Sequence, residues 1–454
     1  MSGVYTKLVS SVLFPLHETL KRHDTVAIRK RMEETQWWAP ERLSELQLER
    51  LQALVRTVYE RVPHYRNLMR LEGFGPRDIR TLDDLRRFPP LTKADIRADI
   101  EAFKAEGASD LTRFNTGGSS GEPLVFYIGK KRVSHDVAAK WRATRWWDVD
   151  IGDREIVVWG SPIELSAQDR VREIRDRILR TQLVQAFEMS EANLDRFVAD
   201  IRRFRPRMLF GYPSSLSLIA GHARKRGQQI DDLGVKVAFV TSERLYDEQR
   251  ATIEQVFACP VANGYGGRDA GFIAHACPQG RLHITAEDII VEVVDGDGNP
   301  LPPGSAGEIL ITHLATQDFP FIRYRTGDVG VMSSEECPCG RGLPVLAEIR
   351  GRTTDFVVAQ DGTVMHGLAL IYVIRDLPDI RSFKIIQESL DHTRVLLVLD
   401  DHFDRSQLAT IEQGIKERLG RGVRVELELV SEIRSEASGK FRYVVSALGS
   451  QSQV

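Results

Sequence analysis

Cysteine, net charge and long apolar runs are all scarce in this chain of 454 residues. Four cysteines are too few for a disulfide framework at this length, which favours a reducing compartment, so we expect a cytoplasmic protein. Lysine and arginine number 62 against 64 aspartates and glutamates, and the net charge of −2 argues against a nucleic-acid-binding protein. No segment approaches the ~18 consecutive apolar residues of a membrane-spanning helix, so we predict no integral membrane segment.

The apolar opening segment, MSGVYTKLVSSVLFPL, does not fit a targeting or spanning role. Its apolar stretch is interrupted by Lys7, Ser10 and Ser11, and it lacks the small-residue cleavage pattern of a secretion signal. It is also too short to span a bilayer. Docking of this segment on a membrane surface stays a lesser alternative.

Overall composition is that of an ordinary globular protein. Hydrophobic residues make up 42% of the chain and charged residues 28%, and the length allows about three domain-sized units. Roughly the first hundred residues are predicted to be helical, since Leu51, Val55 and Val58 recur at three- and four-residue spacing.

Beyond these helices, short apolar runs predict strands. Three of the runs alternate with polar helical stretches, at 155–160, 207–213 and 235–243. This alternation predicts a mainly parallel sheet that is covered by helices. Runs at 288–295 and 307–314 follow each other without a helix, which predicts an antiparallel or barrel-like addition.

The most informative stretch is FNTGGSSGEPLVFY at 114–127. Small and hydroxyl residues crowd its centre, namely Thr116, Gly117, Gly118, Ser119, Ser120 and Gly121. Glycines let backbone N–H groups close on a ligand and hydroxyls add donors, so the loop could wrap phosphate oxygens. The G-K-[ST] of a Walker A loop is absent, and Glu122 stands where a lysine would be expected. Composition alone leaves a flexible surface loop as an equal alternative.

Four further motifs follow in order: NGYGGRDAGF (263–272), YRTGD (324–328), GRTTD (351–355) and SGKFR (438–442). With the loop, this series resembles the adenylate-forming superfamily of acyl-CoA synthetases, and within it the capsule-biosynthesis-associated branch of the phenylacetate–CoA ligase family. The resemblance implies an α/β fold with a large N-terminal domain, 1–350, that holds parallel sheets and a barrel-like part, and a small mobile α+β lid, 351–454. It also implies ATP-dependent activation of a carboxylic acid to an acyl-adenylate with release of pyrophosphate, followed by transfer to coenzyme A.

The same resemblance assigns nucleotide contacts to the motif residues. They are the loop residues 116–121 on the β- and γ-phosphates, Ser242 and Glu243 beside the adenine, Tyr265 and Gly266 along the adenine or the acyl group, Asp328 on the ribose hydroxyls, and Arg352 near the ribose and phosphate. An ionised carboxylate suits the task of accepting hydrogen bonds from both ribose hydroxyls.

Asp269 and Lys440 are the residues that the resemblance places on the reacting charges. Asp269 stands where the family usually has glutamate, and it would bind Mg²⁺ that bridges the triphosphate. Lys440 would approach the α-phosphate and the substrate carboxylate and stabilise charge that develops there. Two residues depart from the family pattern: Glu122 replaces the loop lysine, and Thr354 replaces the first aspartate of the hinge about which the lid rotates.

The cysteines suggest a second metal. Cys337 and Cys339 form a C-x-C knuckle, and His275 and Cys277 lie about sixty residues earlier. With His283 also available, these residues could form a tetrahedral Cys₃His zinc site. Three reduced, buried cysteines and an unrelated histidine are the alternative. The fourth cysteine, Cys259, is expected to be a core thiol.

Two other functions stay open at this point. An adenylating ligase could pass the acyl group to an amine, a hydroxyl or a carrier protein instead of coenzyme A. A catalytically silent nucleotide-binding scaffold is the other alternative, and the presence of Asp269, Asp328 and Lys440 counts against it. We expect a small carboxylic acid as substrate, with aromatic acids among the candidates, and the family branch suggests a homodimer.

Overall fold

The computed structural model describes residues 3–116, 124–159, 170–186, 188–243, 245–349, 356–375, 377–400, 402–433 and 443–448. These residues form a large body built on an eleven-stranded sheet and a smaller body built on a four-stranded sheet. The fold is α/β, as predicted.

The N-terminal part of the large body is helical, as the periodicity predicts. Its helical segments are α1 (Val4–Leu8), a π-helical turn (Val9–Leu13), α2 (Phe14–Leu20), α3 (Thr25–Thr35), α4 (Pro40–Arg61), α5 (Pro63–Leu71) and α6 (Lys93–Ala98). Helix α4 begins at Pro40, where the missing N–H costs nothing, and buries Leu51, Val55 and Val58. No helix among the described residues is both long enough and apolar enough to cross a membrane.

The strands of the large body follow in chain order: β1 (Thr112–Asn115), β2 (Val125–Ile128), β3 (Glu155–Trp159), β4 (Thr181–Gln185), β5 (Glu188–Met189), β6 (Met208–Gly211), β7 (Val237–Thr241), β8 (Val261–Gly267), β9 (Gly271–Ala276), β10 (Leu282–Ile284), β11 (Ile289–Val294), β12 (Ala306–His313), β13 (Tyr324–Met332) and β14 (Val345–Ile349). The large sheet has the order β11-β12-β13-β14-β10-β9-β8-β7-β6-β3-β4. Strands β1 and β2 pair separately as a hairpin at the base of the glycine-hydroxyl loop.

Five neighbouring strands, β8-β7-β6-β3-β4, are parallel, as the alternation of apolar runs with helices predicts. Helix α7 (Lys130–Arg145) precedes these strands, and the helices between them are α8 (Arg170–Leu179), α9 (Glu191–Phe204), α10 (Pro213–Lys225) and α11 (Asp247–Phe257). Both faces of this half are buried, since Met208 and Phe210 of β6 join one apolar core while Leu209 between them joins another. Continuous apolar runs are typical of such two-sided burial.

The antiparallel strands do not form a separate addition. Strand β9 returns antiparallel beside β8, and strands β10 to β14 extend the same sheet. The chain makes this return within four residues, because Gly271 adopts a positive φ of 84° that suits a tight turn. The sequence predicts the strands here but not their continuity with the parallel half.

The smaller body has its own core. Its elements are β15 (Phe356–Val358), β16 (Val364–His366), α12 (Leu368–Arg375), β17 (Ile380–Gln387), β18 (His392–Leu399), α13 (Gln407–Leu419), β19 (Arg424–Leu429) and β20 (Val444–Ser446). The four-stranded sheet has the order β19-β18-β17-β20. Strand β16 pairs with β15 and also, antiparallel, with β5 of the large body, so a short strand links the two bodies. The domain boundary at 350/351 lies outside the described residues and stays a prediction.

Candidate active site

Two of the predicted motifs meet in space and share one pattern. YGGRD at the end of β8 and YRTGD at the start of β13 each hold a tyrosine four residues before an aspartate. The Tyr265 hydroxyl donates to Asp328 Oδ2 at 3.0 Å, and the Tyr324 hydroxyl donates to Asp269 Oδ2 at 2.7 Å. We call these contacts the reciprocal tyrosine–aspartate pairs. They hold both carboxylates in place from two segments that are about sixty residues apart.

The local backbone completes each pair. Thr326 Oγ1 accepts a hydrogen bond from the Asp328 backbone N–H at 3.1 Å and itself donates to the Ile309 carbonyl at 3.0 Å. Asp269 Oδ1 accepts the Ala270 backbone N–H at 3.1 Å. Both aspartates are only partly buried, so each carboxylate keeps a side that a ligand could reach.

Gly266 allows the backbones of two neighbouring strands to approach closely. A Cβ atom at this position would lie 2.3 Å from the Gly271 carbonyl oxygen on the neighbouring strand, which no real side chain tolerates. The structure therefore gives this glycine a packing role, and its predicted place along the adenine or the acyl group stays a prediction.

Ser242 and Glu243 follow β7 at the carboxyl edge of the parallel strands, where ligands bind in open α/β sheets. Ser242 adopts a positive φ of 73°, a strained conformation for serine that often marks a functional turn. Glu243 accepts a hydrogen bond from Ser214 Oγ, at the first turn of α10.

An aromatic pair lies beside Glu243. Trp159 ends β3, Tyr212 directly follows β6, and their rings stack with centroids 4.4 Å apart. Burial raises the pKa of Tyr212, and the nearby charges of Glu243 and Tyr372 raise it further. The Tyr212 phenol therefore stays protonated and neutral. Tyr372 belongs to α12 of the smaller body.

The glycine-hydroxyl loop is described only at its base. Thr116 Oγ1 accepts a hydrogen bond from the Leu124 backbone N–H at 2.9 Å, and the Thr116 N–H donates to the Leu124 carbonyl at 3.0 Å. These bonds close the loop at its ends. The predicted phosphate-binding residues Gly117, Gly118, Ser119, Ser120 and Gly121 lie outside the described residues, and so do Arg352 and Lys440.

Three cysteines and one histidine converge between strands β9, β10 and β14. The ligand atoms of Cys277, His283, Cys337 and Cys339 all lie within 4.8 Å of one another. The Cys277 and Cys337 sulfurs are 3.6 Å apart, and Cys339 Sγ lies 3.2 Å from His283 Nε2. We call these four residues the Cys₃His cluster.

The two turns that supply the cysteines of the Cys₃His cluster share one sequence pattern and one conformation. Each reads Cys-Pro-Xaa-Gly, at 277–280 and at 337–340. In each turn the cysteine carbonyl accepts the glycine N–H, at 2.8 Å and 3.0 Å, and the glycine has a positive φ, 76° and 78°. The glycines permit these left-handed turns, which bring each sulfur toward the other.

His275 is not part of the cluster, so its predicted place as a ligand is wrong. Its ring packs instead against Phe272 at 5.4 Å and Phe239 at 5.9 Å, and burial lowers its pKa to about 3. His283, its register partner on β10, takes the position in the cluster. Because the two histidines are cross-strand neighbours, spacing along the sequence could not separate them.

The structure also identifies residues that the motifs did not single out. Tyr324 is the first letter of YRTGD, but its contact with Asp269 depends on how the sheet brings β8 and β13 together. Ser214 lies at the first turn of α10 and carries no motif signal of its own. The reciprocal placement of tyrosine and aspartate in two motifs was the signal that could have found Tyr324.

Family models match two parts of the chain. The model "AMP-binding enzyme" matches residues 184–315, and the model "CapK C-terminal domain" matches residues 357–447. The first match spans Ser242, Glu243, Tyr265 and Asp269, and the second spans most of the smaller body.

Curated relatives cover most of the chain. Protein CapK of Staphylococcus aureus is 24% identical over 415 residues, which is 89% of each chain. The phenylacetate-coenzyme A ligase of Thermus thermophilus is 29% identical over 349 residues, 75% of this chain and 77% of the relative. The phenylacetate-coenzyme A ligase of Escherichia coli is 26% identical over 327 residues, 70% of this chain and 72% of the relative.

Solved structures share the fold. A 2-hydroxyisobutyryl-CoA ligase in complex with 2-HIB-AMP and CoA, in the thioesterification state, superposes with a TM-score of 0.64 at 22% identity and covers 90% of each chain. The same ligase in the postadenylation state with 2-HIB-AMP superposes with a TM-score of 0.60 at 22% identity, over 90% of this chain and 92% of that one.

Proposed function

We propose that this chain, which belongs to the phenylacetate–CoA ligase-like, CapK-related adenylate-forming enzymes, activates a carboxylic acid with ATP and transfers the acyl group to coenzyme A. The observation that carries the proposal is the reciprocal tyrosine–aspartate pairs, which hold two carboxylates from two of the family's motifs in one site. Curated relatives named phenylacetate-coenzyme A ligases support the acyl acceptor.

The first half-reaction must bring a carboxylate anion against a polyanionic triphosphate, so the site has to position both and offset their charge. In our proposal Asp328 accepts hydrogen bonds from the ribose hydroxyls. The Tyr265 hydroxyl donates to Oδ2 of Asp328, and the hydrogen bond from the Asp328 N–H to Thr326 Oγ1 helps to orient this aspartate. Orientation of the ribose would set the α-phosphate in line with the acid.

Asp269 fits a site for Mg²⁺. The ion prefers oxygen ligands, and the partly exposed Asp269 carboxylate is held by Tyr324 and by the Ala270 N–H. Bound there with ATP, Mg²⁺ would offset triphosphate charge. We expect Asp269→Asn to raise the Mg²⁺ concentration for half-maximal pyrophosphate release roughly tenfold or more. The surface variant Asp83→Asn is the matched control, and an unchanged Mg²⁺ dependence in Asp269→Asn would refute the assignment.

The remaining roles rest on the motifs. In our proposal residues 116–121 hold the β- and γ-phosphates, Arg352 lies near the ribose and phosphate, and Lys440 stabilises the charge that develops on the α-phosphate and the substrate carboxylate. Residues 351–454 act as the lid, and the pairing of β16 with β5 supports contact between this lid and the large body. Lys440→Ala should lose most acid-dependent pyrophosphate release while ATP still binds.

The decisive experiment is acid-dependent pyrophosphate release, with and without coenzyme A, over a panel of acids that includes phenylacetate and 2-hydroxyisobutyrate. We expect release with at least one acid, together with an acyl-CoA product by mass spectrometry. Release that yields no thioester would favour the ligase that uses an amine, hydroxyl or carrier-protein acceptor. No release with any acid would favour the silent scaffold. Light scattering on the same sample measures the proposed homodimer.

We also propose that the Cys₃His cluster holds a structural zinc ion. Zn–S bonds of about 2.3 Å and tetrahedral angles put two sulfurs about 3.7 Å apart and a sulfur about 3.5 Å from a ring nitrogen. The separations of 3.6 Å and 3.2 Å fit that geometry, and the 3.6 Å sulfur pair is far too long for a disulfide.

The surroundings of His283 favour the same assignment. Its Nδ1 lies 3.1 Å from the Leu343 carbonyl, to which an Nδ1–H donates, and this leaves the Nε2 lone pair toward the cysteines. Metal-binding histidines are usually oriented by such a bond. The Cys337 turn continues into Gly342, whose N–H donates to the Gln36 carbonyl at 3.0 Å, so the ion would also fix the end of α3.

Elemental analysis of protein purified without chelators tests the zinc proposal. We expect about one zinc per chain, lost in Cys339→Ser and retained in Cys259→Ser, since Cys259 lies outside the cluster. His283→Gln should lose the metal and His275→Gln should keep it. Metal-free wild-type protein with four free thiols would refute the proposal.

A further inference from the structure

Exposed apolar side chains concentrate on one surface of the molecule. Among the described residues, seven of the twelve exposed large apolar side chains lie on the first helical segment and on α8. They are Val4, Leu8, Val12, Leu16, Leu20, Ile174 and Ile178, with exposed fractions from 40% to 88%. A contiguous surface of this kind marks an interaction site more often than scattered exposure does.

The spacing on the first segment makes the five residues a stripe. They recur every fourth residue, and in an α-helix four residues advance about 40° past a full turn, so the stripe would wind away from one side. The π-helical turn Val9–Leu13 lies in the middle of the segment. Because a π-turn holds more residues than an α-turn, it offsets this drift and keeps Val4, Leu8, Val12 and Leu16 on one side.

The opposite side of the segment is firmly attached to the large body. Val9 and Phe14 are buried, and the Phe14 ring meets the Trp141 ring edge-on at 5.2 Å. Thr6 Oγ1 donates to Asp153 Oδ1 at 2.8 Å. The apolar stripe is therefore held outward by a fixed helix and is not the result of a frayed end.

Helix α8 lies alongside this segment. The Tyr5 hydroxyl donates to the Ile178 carbonyl at 2.9 Å, and the Arg180 guanidinium lies 3.8 Å from the centre of the Tyr5 ring. Near the other end of the segment, burial lowers the pKa of His17, and the positive charges of Lys21 and Arg175 lower it further. Ile174 and Ile178 thus extend the apolar surface sideways.

The charges on this surface are mostly positive. Lys7, Lys21 and Arg22 are exposed on or next to the first segment, while its single acidic residue, Glu18, is buried against two histidines. Residues 170–180 contain five arginines against Glu173 and Asp176. In a chain whose net charge is −2, this excess is local, and it complements an anionic surface.

We propose that the surface formed by residues 4–22 and α8 docks this protein on an anionic lipid bilayer, with the apolar stripe in the interfacial region. An amphipathic helix with an apolar face and lysine and arginine at its flanks is the element that binds membrane interfaces without crossing them. Neighbouring cations add attraction to anionic headgroups.

Flotation with lipid vesicles tests the proposal independently of any enzymatic activity. Purified full-length protein should float with vesicles of phosphatidylcholine and phosphatidylglycerol, bind neutral phosphatidylcholine vesicles much less, and dissociate as salt is raised. The double variant Leu8→Glu, Leu16→Glu should lose affinity at least about tenfold, because two apolar side chains no longer insert. Leu71→Glu changes an even more exposed leucine, on α5 and away from the stripe, and should bind as the wild type does.

A second variant covers the case in which the apolar substitutions disturb folding. Lys7→Glu with Lys21→Glu leaves the stripe intact and should selectively reduce binding to anionic vesicles, at an unchanged melting temperature. Failure of the wild type to float with anionic vesicles would refute the proposal, and so would equal flotation of wild type and both double variants. A wild-type dimer that becomes monomeric in the leucine variant, with no vesicle binding by either, would identify a self-association surface instead.

Discussion

The position of Asp328 depends on a hydroxyl group supplied from another motif. Tyr265 donates to it from β8, and Tyr324 donates in return to Asp269. The resemblance identified both aspartates as ligand residues, but not that two tyrosines hold them. That information lies in how β8 and β13 approach, which no spacing along the chain contains.

Removal of the Tyr265 hydroxyl tests whether this group positions Asp328. Tyr265→Phe keeps the ring and removes the hydrogen bond to Asp328 Oδ2, so the carboxylate should orient less well toward a ribose. We expect a roughly tenfold rise in KM for ATP with a smaller change in kcat, measured as pyrophosphate release against ATP concentration. Tyr59→Phe, on α4 away from the site, should leave KM unchanged. A Tyr265→Phe enzyme with wild-type KM would show that the hydroxyl does not position the nucleotide.

At the scale of elements, apolar runs predict the strands well and their pairing poorly. The runs at 155–160, 207–213 and 235–243 correspond to β3, β6 and β7 because a strand buried on both faces must be apolar throughout. Whether β9 to β14 continue the same sheet depends on turns such as the one at Gly271. The same limit explains the wrong prediction that His275 is a metal ligand. His275 and His283 are paired residues on neighbouring strands, and spacing along the sequence does not tell which of them lies at the cysteines.

The Cys-Pro-Xaa-Gly turns can be tested as elements. Gly340 has a positive φ of 78° and open space around it, so an alanine there meets no atom and only strains the backbone. We expect Gly340→Ala to lower the free energy of unfolding by about 1 kcal/mol and to release zinc at a lower chelator concentration. Gly296→Ala, in equally open space without a positive φ, is the matched control. Equal chelator sensitivity of the two variants would show that this turn geometry is not needed.

At the scale of the whole molecule, a buried carboxylate connects two helices to the large sheet. Asp288, just before β11, accepts hydrogen bonds from His135 of α7 at 2.7 Å and from Arg50 of α4 at 2.9 Å. Burial alone would raise the pKa of Asp288, but His135 and Arg50 outweigh it and lower the pKa to about 2. The sequence gives no sign of this contact, because its members come from three distant segments.

The contacts of Asp288 with His135 and Arg50 predict how the free energy of unfolding depends on pH. Because the pKa of Asp288 is lower in the folded state, the ionised carboxylate stabilises the fold above pH ~4, by about 2 kcal/mol, and this is lost as pH falls toward ~2. Asp288→Asn should lower the free energy of unfolding at pH 7 by about 3 kcal/mol and flatten its decline between those pH values. Urea titrations over pH measure both, with the exposed Asp297→Asn as control. A variant as steeply acid-sensitive as the wild type would refute the assignment.

The link between the two bodies constrains the proposed lid. Val364 of β16 pairs antiparallel with Met189 of β5, so cysteines at both positions are close enough for a disulfide across the two strands. If the lid must rotate between adenylation and thioester formation, the oxidised Met189→Cys, Val364→Cys protein should lose nearly all steady-state acyl-CoA synthesis while one half-reaction persists. A reductant should restore turnover, and each single variant should be unaffected by oxidation. Full turnover in the verified crosslinked protein would mean that β5 and β16 stay paired throughout the cycle, and the lid would then have to move about a point beyond β16.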